Sequence, residues 1–470
     1  MSDPMHSLTR RRVLQAGAGL GGLLALSACA AGGGGPSSGD APTLAGNADS
    51  FLKDIGPKLG TTTLSVLAYA APQAEALHAL TGQFTKLTGI AVNWTGLDEQ
   101  SAVNRAAVAL GSSSGGYDVV QATSGLLPTY VERKWLADMT ALRASSHATI
   151  PSWDPAAFGK GTNALLSGGT QLYAAPCFIG TQIFYYRTDV FEAKGVKPPT
   201  SLDGLREVCK TIHTKEMSAI ALRSAPSPSQ LMFVWSAWLY AYGGRYYDQY
   251  RDGKYSGVAI DSPEAVRALE LFVDLMRNYA PTGATNWSVE DVSRAFITGQ
   301  VAIVQEGAVF GGTYNDPSAS QAGGKVGTFV IPAGPKGSYV PYNAHGWSIS
   351  DQSKAKDAAW LFAQWATLKE TLTTATTGKV AFSTPPLSEV YDTPEYQKRY
   401  GFDSFVATVK GTIATADKGG FSPFDDASYL PRTSAWNTLG QRVCEELSKA
   451  VTGQTTPAEA VKAAGKAMAS

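Results

Sequence analysis

Residues 61–97 read TTTLSVLAYAAPQAEALHALTGQFTKLTGIAVNWTGL, and the spacing of their apolar residues changes period twice. Leu64, Val66 and Ala68 alternate with polar or smaller neighbours, the period of a strand. Leu77, Leu80, Phe84 and Leu87 then recur at helical spacing until Gly89, a residue suited to close a helix. Ile90, Val92 and Trp94 alternate again, giving strand, helix, strand. A second helix over 101–110 leads to a short apolar strand around Tyr117–Val120. This alternation predicts a largely parallel sheet covered by helices, so the class is α/β.

Towards the C-terminus the pattern becomes helix-rich. Ser262-Pro263 is a helix start, with Ser at the N-cap and Pro at the first helical position. Val266, Leu269, Val273 and Met276 form the stripe that this helix buries. An apolar strand is expected at 301–304, a strand pair near 326–331 and 346–349, and long helices over 355–368, 434–451 and 457–468. There is no repeat of solenoid period.

Towards the N-terminus the chain carries an export segment. Arg10-Arg11-Arg12-Val13-Leu14 precedes an uncharged, Gly- and Ala-rich run to Ala28, a signal peptide over 1–28 of twin-arginine type. The run is too diluted by glycine to serve as a bilayer span. Leu26-Ser27-Ala28-Cys29 resembles a lipobox, which marks Cys29 for lipidation. Residues 29–60 begin Gly-, Ser- and Pro-rich and are expected to tether a folded body to a lipid anchor.

The 470 residues exceed what one hydrophobic core normally serves, so two lobes are the default. Lys plus Arg and Asp plus Glu number 39 each, so no global field favours nucleic acid or an anionic membrane, and an uncharged ligand fits. Cys177, Cys209 and Cys444 follow no metal-binding spacing. One disulfide fits among them in an oxidising compartment and leaves a thiol over; the spacing selects no pair. Asp425-Asp426 is a candidate hydrolase dyad by residue type alone, but sequence neighbours point apart on a strand. Five histidines, none in H-E-x-x-H or beside a cysteine nucleophile, and no phosphate loop, argue against an enzyme; Gly32–Gly35 belongs to the tether. No cofactor or metal is expected.

Three ordered segments carry a family likeness: Tyr185–Phe191; Tyr240–Asp248 with 271–276 and 295–303; and 325–327 with 332–337, 346–350 and 358–362. Together they resemble the family 1 solute-binding proteins of ABC importers, the maltose-binding-protein group, and most closely its sorbitol- and mannitol-binding branch. The resemblance implies a two-lobed periplasmic-binding-protein fold with discontinuous lobes, a ligand cleft between them, and hinge closure. It implies an N-lobe of 61–180 with 311–350, a C-lobe of 181–310 with 351–470, and crossings near Gly180 and Glu306-Gly307. The implied role is an exported, lipid-anchored monomer on the outer face of the cytoplasmic membrane that hands a sugar or sugar alcohol to ABC permease subunits. The alternatives are a carbohydrate-active hydrolase and a surface lipoprotein without a transport role.

A polyol offers C–H faces to aromatic rings and hydroxyls to a few fixed polar groups. Trp347 aligns with a cleft aromatic of the family, its alternative being lobe core, and His345 stands where the sorbitol branch carries Trp. Trp235 and Trp238 are three apart on a helix, so at most one reaches the cleft, with Trp235 favoured. Phe178 matches a crossing-strand aromatic or packs within a lobe; Tyr69 ends the first strand, and Tyr130 reads as helix packing. Arg223 and Glu306 align with polar positions of the branch and either clamp vicinal hydroxyls or pair across the lobes. Glu99 and Ser124 follow the second and third strands. Ala122 and Gly125 replace the Trp and Asp of maltose-binding protein, which disfavours a maltodextrin.

Overall fold

The computed structural model describes residues 47–112, 116–251, 254–424, 429–433 and 435–469. The signal peptide, Cys29, Gly32–Gly35, the tether up to residue 46 and Asp425-Asp426 lie outside the described residues. The remainder of the expected tether is corrected. Asn47–Ile55 is a helix (α1) whose Leu52 is fully buried, followed by a short turn of helix at Gly56–Leu59. An apolar stripe on so short a helix stays helical because the body covers it.

The opening stretch folds as its periodicity indicates, with one break. β1 (Thr63–Tyr69) is followed by α2 (Pro72–His78), α3 (Thr81–Thr88) and β2 (Ala91–Leu97). The expected single helix is thus two, interrupted at Ala79-Leu80. Gly89 closes α3 at φ +74°, where its N–H reaches the Thr85 carbonyl. α4 (Glu99–Gly111) leads to β3 (Val119–Thr123), and β1 pairs in parallel with both β2 and β3.

The strand that organises the rest is β4 (Ala175–Arg187), thirteen residues long and buried at nearly every position. β5 (Ser218–Ala221), β6 (Val301–Gly307), β7 (Val326–Phe329) and β8 (Tyr342–Ile349) complete a sheet of order β2-β1-β3-β8-β4-β6-β5, with β7 also on β4. β4 serves two sub-sheets. Residues 175–181 pair with β8, which pairs with β3; residues 182–187 pair with β6 and β7. The two strands expected to pair with each other, β7 and β8, instead pair with different stretches of β4.

This pairing moves the expected lobe boundaries. β7 joins the β5–β6 sub-sheet, so 311–350 is not all one lobe. After β8, α7 (Lys356–Ala366) returns to the first sub-sheet, where Phe362 meets Phe84 of α3 with ring centroids 5.4 Å apart. α8 (Lys369–Thr377) packs on α2, so assignment of 351–470 to one lobe is corrected as well. A third connection joins the expected crossings near Gly180 and Glu306-Gly307: Ser383 Oγ donates to the Ala308 carbonyl, and Ile179 N–H to the Thr384 carbonyl.

On the second sub-sheet lie α5 (Phe233–Tyr242) and α6 (Pro263–Asn278). α5 is apolar on all sides and buried from Val234 to Tyr242, as an all-round apolar helix must be. α6 starts at Ser262, whose hydroxyl accepts the Ala265 N–H, and buries Leu269, Val273 and Met276; Val266 stays half-buried. Cys177, Cys209 and Cys444 are separate buried thiols. Among the described residues no helix is long and apolar enough to cross a membrane, and no His, Cys, Asp and Glu cluster suits a metal ion.

Candidate functional site

Where β4 passes between the sub-sheets, its residues and those of β8 bring three rings together. His345 stands opposite Phe178 in the β8–β4 register. Its imidazole meets Phe178 at 5.1 Å and Tyr69, at the end of β1, at 5.8 Å, both edge-on. Tyr69 is fixed by its backbone N–H, which donates to Gln121 Oε1 at 3.0 Å. Burial, then Tyr130 and Glu99, push its phenol far above the usual range. Burial also drives His345 down to about 4, so the imidazole is neutral at physiological pH. Its Nδ1 is buried with no hydrogen-bond partner.

Two residues before His345 on β8 is Asn343, opposite Gly180. Gly180 lacks the Cβ that would collide with Asn343 Oδ1, so the amide lies across the strand. Oδ1 is likewise buried and unpartnered. Of the four buried, unpartnered polar atoms on β8, on Asn343, His345, Trp347 and Ser348, those of Asn343 and His345 lie towards the three rings, an arrangement a buried hydroxylated guest would satisfy.

From the second sub-sheet come Arg223 and Glu306. Arg223 follows β5 and Glu306 lies on β6, and these strands pair, so the ion pair sits within one sub-sheet and does not bridge lobes. Arg223 Nε donates to Glu306 Oε1 at 2.8 Å, Nη2 donates to Oε2, and Nη1 reaches the Ser229 carbonyl at 3.2 Å. Glu306 also accepts the Gly307 N–H. Burial works against the guanidinium charge, but the carboxylate outweighs it and holds Arg223 above its usual value. The carboxylate's binding capacity is thus largely spent on Arg223, whose guanidinium lies 5.2 Å from the Phe233 ring centre.

Tyr429, which the sequence pattern does not single out, packs beside Arg223's neighbour Phe233. Its ring meets Phe233 at 5.4 Å, and its carbonyl accepts the Tyr240 hydroxyl. Arg223 and Glu99 both act on it electrostatically, and burial pushes its phenol up to about 12. Glu99, at the start of α4, is exposed. Ser124 is buried; its hydroxyl accepts the Ala344 N–H at 3.4 Å, extending the β3–β8 ladder.

Two aromatic expectations are corrected. Trp347 is 1 % exposed, beneath α7 and against Trp94 at 5.5 Å and Phe362 at 6.3 Å, so it is core of the first sub-sheet. Trp235 is fully buried against Tyr246, inside the second half. Trp238 is the indole turned to the crossing strands: its Nε1 donates to Gln305, and Gln305 Nε2 donates to Gln182 of β4. Period-two and period-three spacing identify a face without saying what covers it. Cavities of about 450 and 470 Å³ lie elsewhere, beside Gly312 and Tyr400 and beside Arg206 and Lys336, and none of the nine expected site residues lines them.

The sequence profile of bacterial extracellular solute-binding proteins matches residues 69–372, well over half of the chain. The chain belongs to this family. It is a solute-binding protein of the exported class, and its work is binding, not catalysis. The erythritol/L-threitol-binding protein of Mycolicibacterium smegmatis is 25% identical over 452 residues, spanning 92% of each chain. The mannitol-binding protein of Pseudomonas aeruginosa is 26% identical over 288 residues, 59% of this chain and 62% of that one. A solute-binding protein of Agrobacterium vitis solved with bound D-mannitol superposes with TM-score 0.69 at 24% identity, over 87% of this chain and 97% of that one. A maltose-bound protein of T. maritima gives the same TM-score at 22% identity, covering 87% and 99%. The solute-binding protein's fold is therefore the two-lobed periplasmic-binding architecture with discontinuous lobes.

Proposed function

We propose that the protein binds a small sugar alcohol or sugar between its two sub-sheets and delivers it to the permease of an ABC importer. The reading is carried by the unpaired Asn343 Oδ1 and His345 Nδ1, set among the rings of Tyr69 and Phe178. Rings cover C–H faces and the two polar atoms take hydroxyls. At the strand crossing itself, His345 is neutral and Arg223 is matched by Glu306. That favours a neutral guest over an acid or an amine. The relatives named for erythritol, threitol and mannitol support a polyol.

The working set is Tyr69, Phe178, His345, Asn343, Arg223 and Tyr429, with Glu99 and Ser124 at its margin. Contacts from both sides favour the closed form, because a ligand shifts a conformational equilibrium only by its differential affinity. Cys29 carries the lipid that holds the monomer at the outer face of the membrane after twin-arginine export.

A thermal-shift screen of the purified chain against erythritol, threitol, ribitol, mannitol, sorbitol, glucose and maltose tests the reading. A rise in melting temperature with at least one alditol is expected. No shift with any of them, or turnover of a sugar, would overturn it.

A further inference from the structure

We propose that Gln182 is a ligand-binding residue of the site, its side-chain amide presenting a hydrogen-bond donor to a guest hydroxyl, with Trp238 and Gln305 as positioning residues that fix the amide's direction. The inference rests on the ligand-binding reading above and names a contact to the guest from the second sub-sheet.

An indole N–H donates and never accepts, so the direction of the relay follows from Trp238. Its Nε1 donates to Gln305 Oε1 at 2.9 Å, which leaves Gln305 its amide nitrogen to offer onward. That nitrogen donates to Gln182 Oε1 at 2.8 Å. Gln182 therefore keeps Oε1 on Gln305, and its Nε2 is buried with no hydrogen-bond partner. All three side chains are fully buried, so the unmet donor has no access to bulk water. A buried amide chain polarised in one direction and ending on an unmet donor is completed by an acceptor from outside the chain.

The face on which the relay ends is that of the candidate site. Successive side chains of a strand alternate in direction, so Phe178, Gly180 and Gln182 of β4 share one face. No register shift interrupts the pairing of residues 178–181 with β8. The Phe178 ring meets His345, and a Cβ on Gly180 would strike the Asn343 amide, so this face carries the unpartnered Asn343 Oδ1 and His345 Nδ1. Gly180 and Gln182 are about 7 Å apart along the strand, a distance one small polyol spans. Gln182 is also the first residue of β4 to pair with β6, opposite Gly307, whereas Asn343 and His345 pair with the preceding stretch of β4. Hydroxyls both donate and accept, so one guest can give a hydrogen bond to Asn343 Oδ1 and take one from Gln182 Nε2, joining the two sub-sheets.

Calorimetry of the full chain, with erythritol and D-mannitol as probes, tests the assignment. Gln182→Met keeps the length and removes the donor, and should bind the better of the two alditols about tenfold more weakly. Trp238→Phe touches no guest atom but releases Gln305, so affinity should fall by a similar factor. The double variant should lose little more than either single one, because Trp238 acts through Gln182, whereas independent packing roles would make the losses add. Gln182→Leu takes the place of the methionine variant if that one fails to fold by circular dichroism. A folded Gln182 variant that binds as the parent does, or additive losses in the double variant, would overturn the proposal. If neither alditol binds but glucose or maltose does, the polyol reading falls and the same cycle on that sugar decides the role of Gln182. If none of the four binds, both fall.

Discussion

Replacing Arg223 by Leu should destabilise the solute-binding protein far more than an ordinary surface substitution. Glu306 is fully buried and receives two charge-assisted hydrogen bonds from Arg223; the Gly307 N–H is its other donor. Removing the guanidinium leaves a carboxylate in the protein interior with one donor. Breaking a buried pair from one side costs about 3–5 kcal/mol, a large share of the roughly 5–15 kcal/mol that holds a domain folded. Removing both partners, in Arg223→Leu with Glu306→Leu, should cost distinctly less than the sum of the single changes, because no orphaned charge remains. Urea unfolding of the four members of this cycle measures the coupling directly. A single variant within about 1 kcal/mol of the parent would refute the reasoning, since an exposed pair behaves that way.

Trp347→Ala should lower stability by about 3–5 kcal/mol through the lost packing against Trp94 and Phe362, with alditol affinity unchanged in the folded variant; urea unfolding and calorimetry separate the two effects. Gly180→Ala should do the reverse: the new Cβ displaces the flexible end of Asn343, so affinity falls while the melting temperature moves little. His345 titrates at about 4 in the folded protein against an ordinary 6.5, so the unfolded chain takes up its proton first. Stability is full above about pH 6.5 and falls as pH drops towards 4, by about 2–3 kcal/mol in all; melting temperatures across that window should show it, and His345→Gln should flatten the slope.

The parallel β1–β2–β3 unit and α6 were legible because each depends on local signals: alternation, helical spacing, Gly89 at a left-handed cap and Ser262-Pro263 at a helix start. The grouping that forms the candidate site was legible in part. Tyr69, Phe178 and His345 lie on strands whose ends or crossings were recognised, and the structure brings their rings together. Trp347 misled because a strand's two faces look alike in sequence, and the arrival of α7 decides which is sealed. Asn343 and Tyr429 were missed for a different reason. Asn343 matters because Gly180 lies opposite it, and Tyr429 because Tyr240 and Arg432 anchor the segment that carries it; all of these are pairings between distant parts of the chain. The folded α1 was read as tether since so short a stripe carries little signal without the surface that covers it.

A crystal structure of the full chain grown with the best alditol of the thermal screen tests the central claim most directly. The account requires electron density for one ligand at β4, within hydrogen-bonding distance of Asn343 Oδ1 and His345 Nδ1, with the rings of Tyr69 or Phe178 against its carbon chain. Density confined to the cavities beside Tyr400 or Lys336, with the Asn343 and His345 atoms still unpartnered, would contradict it.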